Sequence, residues 1–416
     1  MKIEEVPQDL KYCKDAIVRD QNYAVDCDGK YHMIKSDGWT PKNDALDYAL
    51  EEDKDKEERK LMVMNATTDF HGFELPINHQ PAAHCENGAI STLLSYYGIE
   101  FTEPMVFGLA SGLFFTHLPF IKMSGMPVTA FRTFPGVLFK RITKLLGIKT
   151  ETHRFLSQEN AMRTLDKVLL EQKTPVGCVV GMYNLPYLPI EYRFHFNGHN
   201  ICITGKDENT GDYLVLDSNA TQKVTLSRDD LIKVRFAKGG TYPLMGQMYW
   251  IKSVPDRLPE LTPLILKSIN KTCWYMVSQP DFIPYAGANG ILYLSRKIRV
   301  WEKNMGARRA KQNLAQVIRM LEEIGTGGAG FRFIYGAFLQ EAAEKTGIGV
   351  FNDFSTRITE IGDMWREFAY KASRIVKHRV GENYTYDDLG DLLQVIGEKE
   401  KLFFVDLDIK TKSLQK

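Results

Sequence analysis

From residue 256 onward, apolar positions return every three or four residues. That spacing predicts helices over 258–276, 291–301, 314–324, 331–345 and 351–375. Upstream, 85–97, 103–112, 135–146 and 157–172 also read as helices. Short runs rich in Val, Ile and aromatic residues at 176–182, 199–204, 212–216, 222–226 and 246–251 read as strands. Asn209, Thr210 and Gly211 mark a hairpin turn between two of them. The uncharged stretch 104–121 holds Pro, Gly, Ser, Thr and His, too much for a membrane span, and is expected to be a buried helix followed by a loop. Helices first, an antiparallel sheet second and helices again give an α+β fold. The expected organisation is an irregular leader at 1–64, a mixed domain at 65–255 and a mainly helical domain at 256–416. Within the leader, Thr40 is a plausible N-cap and Pro41 a first helical residue for a charged stretch at 42–60.

Composition narrows the function classes. The 416 residues are 44% hydrophobic and 25% charged, as in an ordinary folded protein, and the formal net charge of +1 gives no global field for nucleic acid. The first twenty residues carry no apolar signal segment. Six scattered cysteines, none in a CxxC pair, argue against a zinc knuckle, a dithiol motif or a disulfide scaffold, and a reducing cytoplasm is the expected compartment. Cys178 and Cys202 lie in apolar runs and read as core residues. Neither a metal nor an organic cofactor is implied.

Cys85 stands apart. Polar and Pro-containing residues precede it, and an apolar helix ending in Gly98 follows, so its sulfur is expected at a helix N-terminus. The helix dipole and a neighbouring imidazolium favour a thiolate there, and first-turn N–H groups can hold an oxyanion. A small residue packed at a helix start is the rival reading. The polar flank of His84, Glu86 and Asn87 favours function. A nucleophilic thiol needs a base and a group that orients the base. His199 begins one strand and Asp217 ends the next, so the hairpin between them places both at one sheet edge. His195 is the second choice of base. Gln80 is an oxyanion candidate, since papain-like enzymes place a glutamine ahead of the cysteine, although the spacing here is one residue short; Asn78 and Asn87 compete with it.

Two long motifs carry a resemblance. His84-Cys85, the helix to Tyr97-Gly98, and Thr102-Glu103-Pro104-Met105-Val106-Phe107-Gly108-Leu109-Ala110-Ser111-Gly112-Leu113 resemble the N-terminal domain of the butirosin biosynthesis protein H family. Gly325-Thr326-Gly327-Gly328-Ala329-Gly330-Phe331-Arg332, with Tyr335, Phe338-Leu339-Gln340-Glu341-Ala342 and Trp365, resemble the helical domain that follows in that family. The resemblance implies a cysteine-peptidase-like fold and transfer of an acyl or aminoacyl group from a carrier-protein thioester to an amine. Carried over, Cys85 takes the acyl group, His199 shuttles the proton and Asp217 orients His199. The implied partners are an acyl carrier protein, or another thioester donor, and a small-molecule amine. An amidase or peptidase with the same residues, or a non-catalytic module that keeps the fold, are the alternatives.

Three further features are candidates for substrate contact. His84 adjoins the nucleophile. Arg332 and Tyr335 follow the Gly-rich stretch 325–330, which lacks the strand and the Gly-Lys-Ser/Thr ending of a nucleotide loop; one reading is a tight helix–helix connection, the other that the first N–H groups of the next helix, with Arg332, meet an anion. Lys140, Arg141 and Lys144 lie away from the apolar side of helix 135–146, which reads as a solvated helix surface or, alternatively, as a docking face for an acidic carrier.

Overall fold

The computed structural model describes strands 23–25 and 31–33 and residues 70–415, apart from 124, 190–192, 194, 239–242, 279–283 and 378–383. The leader helix expected at 42–60, with Thr40 and Pro41, lies outside the described residues. So do Cys13 and Cys27. In chain order, an antiparallel pair, β1 (Tyr23–Val25) and β2 (Tyr31–Met33), is followed by β3 (Gly72–Glu74), α1 (Cys85–Ser95), α2 (Glu103–Leu109), β4 (Leu113–Met123), β5 (Met126–Arg132), α3 (Val137–Leu145), β6 (Lys149–His153), α4 (Gln158–Asp166) and β7 (Val176–Gly181). Then come β8 (Asn197–Asp207), β9 (Tyr213–Leu216), β10 (Val224–Leu226), α5 (Arg228–Arg235) and β11 (Met248–Ser253). The helical section holds α6 (Leu261–Val277), α7 (Gly287–Ile298), α8 (Trp301–Met305), α9 (Ala307–Ile318), α10 (Arg332–Thr346), α11 (Val350–Lys377) and α12 (Tyr386–Ser413).

The main sheet runs β10-β9-β8-β7-β11-β6, every pair antiparallel, with β3 also paired to β8. The α+β expectation holds: helices pack on an antiparallel sheet and a mainly helical section follows. Strand β8 is buried along most of its length, as a central strand with a covered face must be. Helix α1 lies on it, and the Cys202 thiol meets the Ala89 carbonyl at 3.4 Å. The hairpin turn at Asn209–Gly211 forms, with the Asp207 carboxylate accepting from the Asn209 and Thr210 N–H groups.

One expectation fails in an informative way. Of the neutral stretch 104–121, only the start is helix. Gly112 N–H closes the end of α2 on the Phe107 carbonyl, and β4 then begins at Leu113 and forms a hairpin with β5. This hairpin carries the middle section into the helical one. Phe115 and Phe131 pack against Trp365 of α11, with ring centroids 6.0 and 5.2 Å apart, and Thr116 bridges to Ala286 at the start of α7. The run looked helical because successive β4 residues, Phe115, Thr116 and His117, are all buried, which erases the alternation a half-exposed strand shows. Sheet, hairpin and helices share one continuous apolar core.

Candidate active site

The turn ahead of α1 is held by its neighbours. Glu103, in the first turn of α2, accepts the Ala83 and His84 N–H groups at 2.9 and 2.7 Å. His84 is the N-cap, extended at φ −116°, and its Nδ1 accepts weakly from Asn87 N–H at 3.4 Å. Gly88 lets the helix approach the end of β9: a Cβ there would stand 2.8 Å from Ser218 Cβ and 2.9 Å from Ala82 Cβ. Glu86 turns away from the sulfur to pair with Arg132 at 3.0 Å and to accept the Gly136 N–H that leads into α3.

This scaffold puts Cys85 at the first position of α1, where the helix dipole favours an anion. Cys178, Cys202 and Cys273 are buried, whereas Cys85 keeps partial exposure. In the register Cys202 faces Leu216, so Asp217 stands opposite Ile201, two residues from His199 and within diagonal reach across the strand pair. The contact forms: His199 Nε2 lies 2.7 Å from Asp217 Oδ2. The same carboxylate oxygen accepts from Tyr187 Oη at 2.7 Å, and Oδ1 accepts the Asn219 N–H at 2.9 Å. With Nε2 so occupied, the other ring nitrogen is left free for the Cys85 sulfur, which the His199 charge and hydrogen-bonding stabilise as a thiolate.

Electrostatics follow from this packing. Burial by itself would push the Cys85 thiol up, but the charge and hydrogen bond of His199, the Asn200 backbone N–H and the charge of Arg132 outweigh it and bring its pKa below the ordinary thiol value. Burial also opposes charge on His199, yet Asp217 and the Cys85 sulfur prevail and raise its pKa to about 10. Both shifts favour a thiolate–imidazolium pair at neutral pH. Cys202 shows what burial does without a cation: its pKa is pushed well above the ordinary value.

Cys85, His199 and Asp217 are thus brought together. The other candidates fall elsewhere. His195 is exposed and stacks on Tyr183, centroids 4.0 Å apart, away from the sulfur. Gln80 is exposed on the loop ahead of α1 and is not among the groups acting on the sulfur. His84 is buried edge-on against Phe331 at 5.2 Å, and burial, with Arg132, holds its pKa well below the ordinary value. It is therefore a neutral cap, and the imidazolium beside the thiolate is His199 instead.

Arg332 and Tyr335 are corrected by the structure. Arg332 has no exposed surface and is fully engaged: Nε and Nη2 meet the two Glu400 oxygens at 2.9 Å each, and Nη1 donates to the Gly330 carbonyl at 2.7 Å. Tyr335 is also buried. A guanidinium in a bidentate pair inside the core has no face left for an anion. The Gly-rich stretch serves packing instead. Gly325, at φ +73°, passes so close to the Ala83 carbonyl that a Cβ would lie 2.7 Å from it, and Phe331 supports the His84 ring. The helical section thereby buttresses the residue before the nucleophile.

Sequence reasoning missed Asn200, Tyr187 and Tyr249. Asn200 Nδ2 lies 3.9 Å from Cys85 Sγ, and Asn200 Oδ1 accepts from Tyr249 Oη at 2.8 Å. Nothing in the sequence marked them: Asn200 adjoins His199, but successive residues of a strand point to opposite faces, and nothing local marked the two tyrosines. Among the described residues, no group of three His, Cys, Asp or Glu side chains is placed to hold a metal ion, and no helix is long and apolar enough to cross a membrane.

Comparison with known families finds two matches along the chain. Residues 84–218 match the model for butirosin biosynthesis protein H, N-terminal, a span that begins beside Cys85 and ends just beyond Asp217. Residues 229–407 match a domain of unknown function, DUF4872, a span that takes in most of α5 and the sheet strand β11 as well as α6 to α11 and most of α12. No curated protein matches the chain. With both models matched in this order, the chain belongs to the butirosin biosynthesis protein H-like family, an N-terminal domain of that type followed by DUF4872.

Proposed function

We propose that this protein is a cysteine-dependent acyltransferase of specialised-metabolite biosynthesis, moving an acyl or aminoacyl group from a carrier-protein thioester to an amine. One observation carries the reading: a partly exposed sulfur at a helix N-terminus, its pKa lowered by the nearby His199, shares its site with an imidazole that Asp217 orients. The Cys85 thiolate attacks the thioester carbonyl. The tetrahedral oxyanion collapses, the S–C bond to the carrier breaks, and the departing thiolate takes the His199 proton. An amine then attacks the acyl-enzyme, His199 takes its proton, and Cys85 leaves as the thiolate. The ion pair is restored and an amide released. Asp217 holds the ring in place through both steps, and Tyr187 holds Asp217.

The family name adds weight to a biosynthetic setting, and the convergence of Cys85, His199 and Asp217 weighs against a non-catalytic module. Incubation with an acyl thioester should leave an acyl mass on Cys85, and none on the Cys85→Ala variant. Added amine should discharge it as an amide. Discharge to the free acid at the same rate with or without amine would instead favour the hydrolase alternative. An unlabelled wild-type chain contradicts the proposal.

The carrier is expected at the α3–α6 face. Lys140 and Lys144 are exposed there, and Lys267 and Lys271 of α6 approach them closely enough that burial, then Arg141, Lys267 and Lys144, lower the Lys271 pKa. Arg141 itself is anchored to the Ala110 and Ser111 carbonyls and to Tyr275 Oη. Exposed cations of one sign attract an acidic surface and are screened by salt. Transfer from a carrier-bound donor should therefore fall roughly tenfold between low salt and about 1 M, while transfer from a small free thioester changes little. Equal salt dependence of the two donors would contradict this docking face.

A further inference from the structure

We infer that Asn200, held by Tyr249, is the side-chain donor to the oxyanion formed on Cys85, working with the Cys85 backbone N–H. The inference rests on the acyl-transfer reading of the site and names a residue of it that the sequence motifs did not.

The orientation of the Asn200 amide is fixed by its neighbours. A backbone carbonyl only accepts, and the Gly198 carbonyl lies 3.1 Å from Asn200 Nδ2, so the nitrogen end must face it. The oxygen end then accepts from Tyr249 Oη at 2.8 Å. One N–H of the amide goes to Gly198, and the other is left on the side of the Cys85 sulfur, 3.9 Å away. Both groups are buried, Asn200 at 6% and Tyr249 at 5% exposure, so the amide is held in a site largely free of water. Tyr249 is itself confined. Its ring packs on Phe139, centroids 4.7 Å apart, and occupies the space at Gly177, where a Cβ would meet the ring at 2.4 Å.

A carbonyl carbon bonded to Sγ carries its oxygen two bonds from the sulfur. A donor 3.9 Å from that sulfur is within hydrogen-bonding reach of such an oxygen. The second donor comes from the helix. As the first residue of α1, Cys85 has an N–H with no intrahelical acceptor. In the attack step, the thioester carbonyl takes up the negative charge that leaves the sulfur, and these two N–H groups receive it. Gln80, exposed on the preceding loop, is not needed for this role.

Two reactions of the same sulfur separate this role from others. Alkylation by iodoacetamide needs the thiolate but forms no oxyanion. Acylation by a thioester needs both. Measured at a pH on the alkylation plateau of each variant, Asn200→Ala is expected to acylate about 10²–10³-fold more slowly than wild type, with alkylation within about twofold. Tyr249→Phe, which removes a single hydroxyl, should show the same split with a smaller loss. If Asn200→Ala does not fold, Asn200→Asp keeps the bond to Tyr249 and replaces the donor with an acceptor, and it should show the split too. Acylation at the wild-type rate in the Asn200 variants, or acylation and alkylation falling by one factor, overturns the inference. A wild-type chain that alkylates rapidly at Cys85 but accepts no acyl group from any thioester overturns the acyl-transfer reading, and this inference with it.

Discussion

Replacing His199 with alanine should lower the proposed acyl transfer at neutral pH by about 10⁴-fold, the upper range for loss of a general acid–base group. Two contributions vanish together. The imidazole no longer carries the proton between leaving thiol and entering amine. The Cys85 sulfur also loses the cation that overcomes its burial, so its pKa rises and the thiolate becomes the minor species. The sign is testable separately. The folded-state pKa of His199 is raised to about 10 and that of Cys85 is depressed, so thiolate and imidazolium coexist over a wider pH range than the free groups would allow. In His199→Ala the residual rate should climb with pH, because hydroxide then does what the imidazole did. Asp217→Asn should cost less in thiolate content but still impair turnover, since the ring loses the acceptor that orients it. A His199→Ala enzyme within tenfold of wild type would remove the histidine from the mechanism.

Glu400→Ala should destabilise the fold by about 3–5 kcal/mol, the usual cost of leaving one partner of a buried ion pair uncompensated. The case is a demanding one. Arg332 and Glu400 are wholly unexposed, Glu400 Oε1 also accepts from Trp365 Nε1 at 2.6 Å, and the Arg332 guanidinium sits 5.5 and 5.3 Å from the centroids of the Phe131 and Trp365 rings. Removing the carboxylate strands the guanidinium and the indole N–H at once. With an unfolding entropy of about 2.1 cal/mol/K per residue, the melting temperature should drop by roughly 3–6 °C if the chain melts as one unit. The double variant Arg332→Met/Glu400→Leu should recover much of the loss, because a matched apolar pair has no unpaired charge. Recovery stays partial, since Trp365 Nε1 and the Gly330 carbonyl remain without their partners. If Glu400→Ala melts like the wild type, the pair contributes nothing to stability.

What could be read from the chain was local. A polar turn, a cysteine and an apolar helix placed Cys85 at a helix start. The turn at Asn209–Gly211 implied that His199 and Asp217 flank one hairpin, and the pairing of β8 with β9 bears that out. What could not be read depends on contacts distant in sequence. Tyr187 reaches Asp217 across 30 residues and Tyr249 reaches Asn200 across 49, with no periodicity to announce either. Arg332 misled for a related reason. An arginine after a glycine-rich turn has the pattern of an anion site, and only the position of Glu400, 68 residues on, turns it into a core ion pair. Strand β4 was hidden because Phe115, Thr116 and His117 are buried in succession, which removes the alternation by which strands are recognised, although its partner β5 does alternate in burial.

The pH dependence of Cys85 alkylation by iodoacetamide tests the paired thiolate most directly. The geometry predicts a rate that is flat through neutrality and falls only in acid, and an ordinary thiol profile after His199→Ala. A wild-type rate that keeps rising tenfold per pH unit toward about 8.5 would mean an isolated thiol, and the ion pair on which the chemistry depends would not exist.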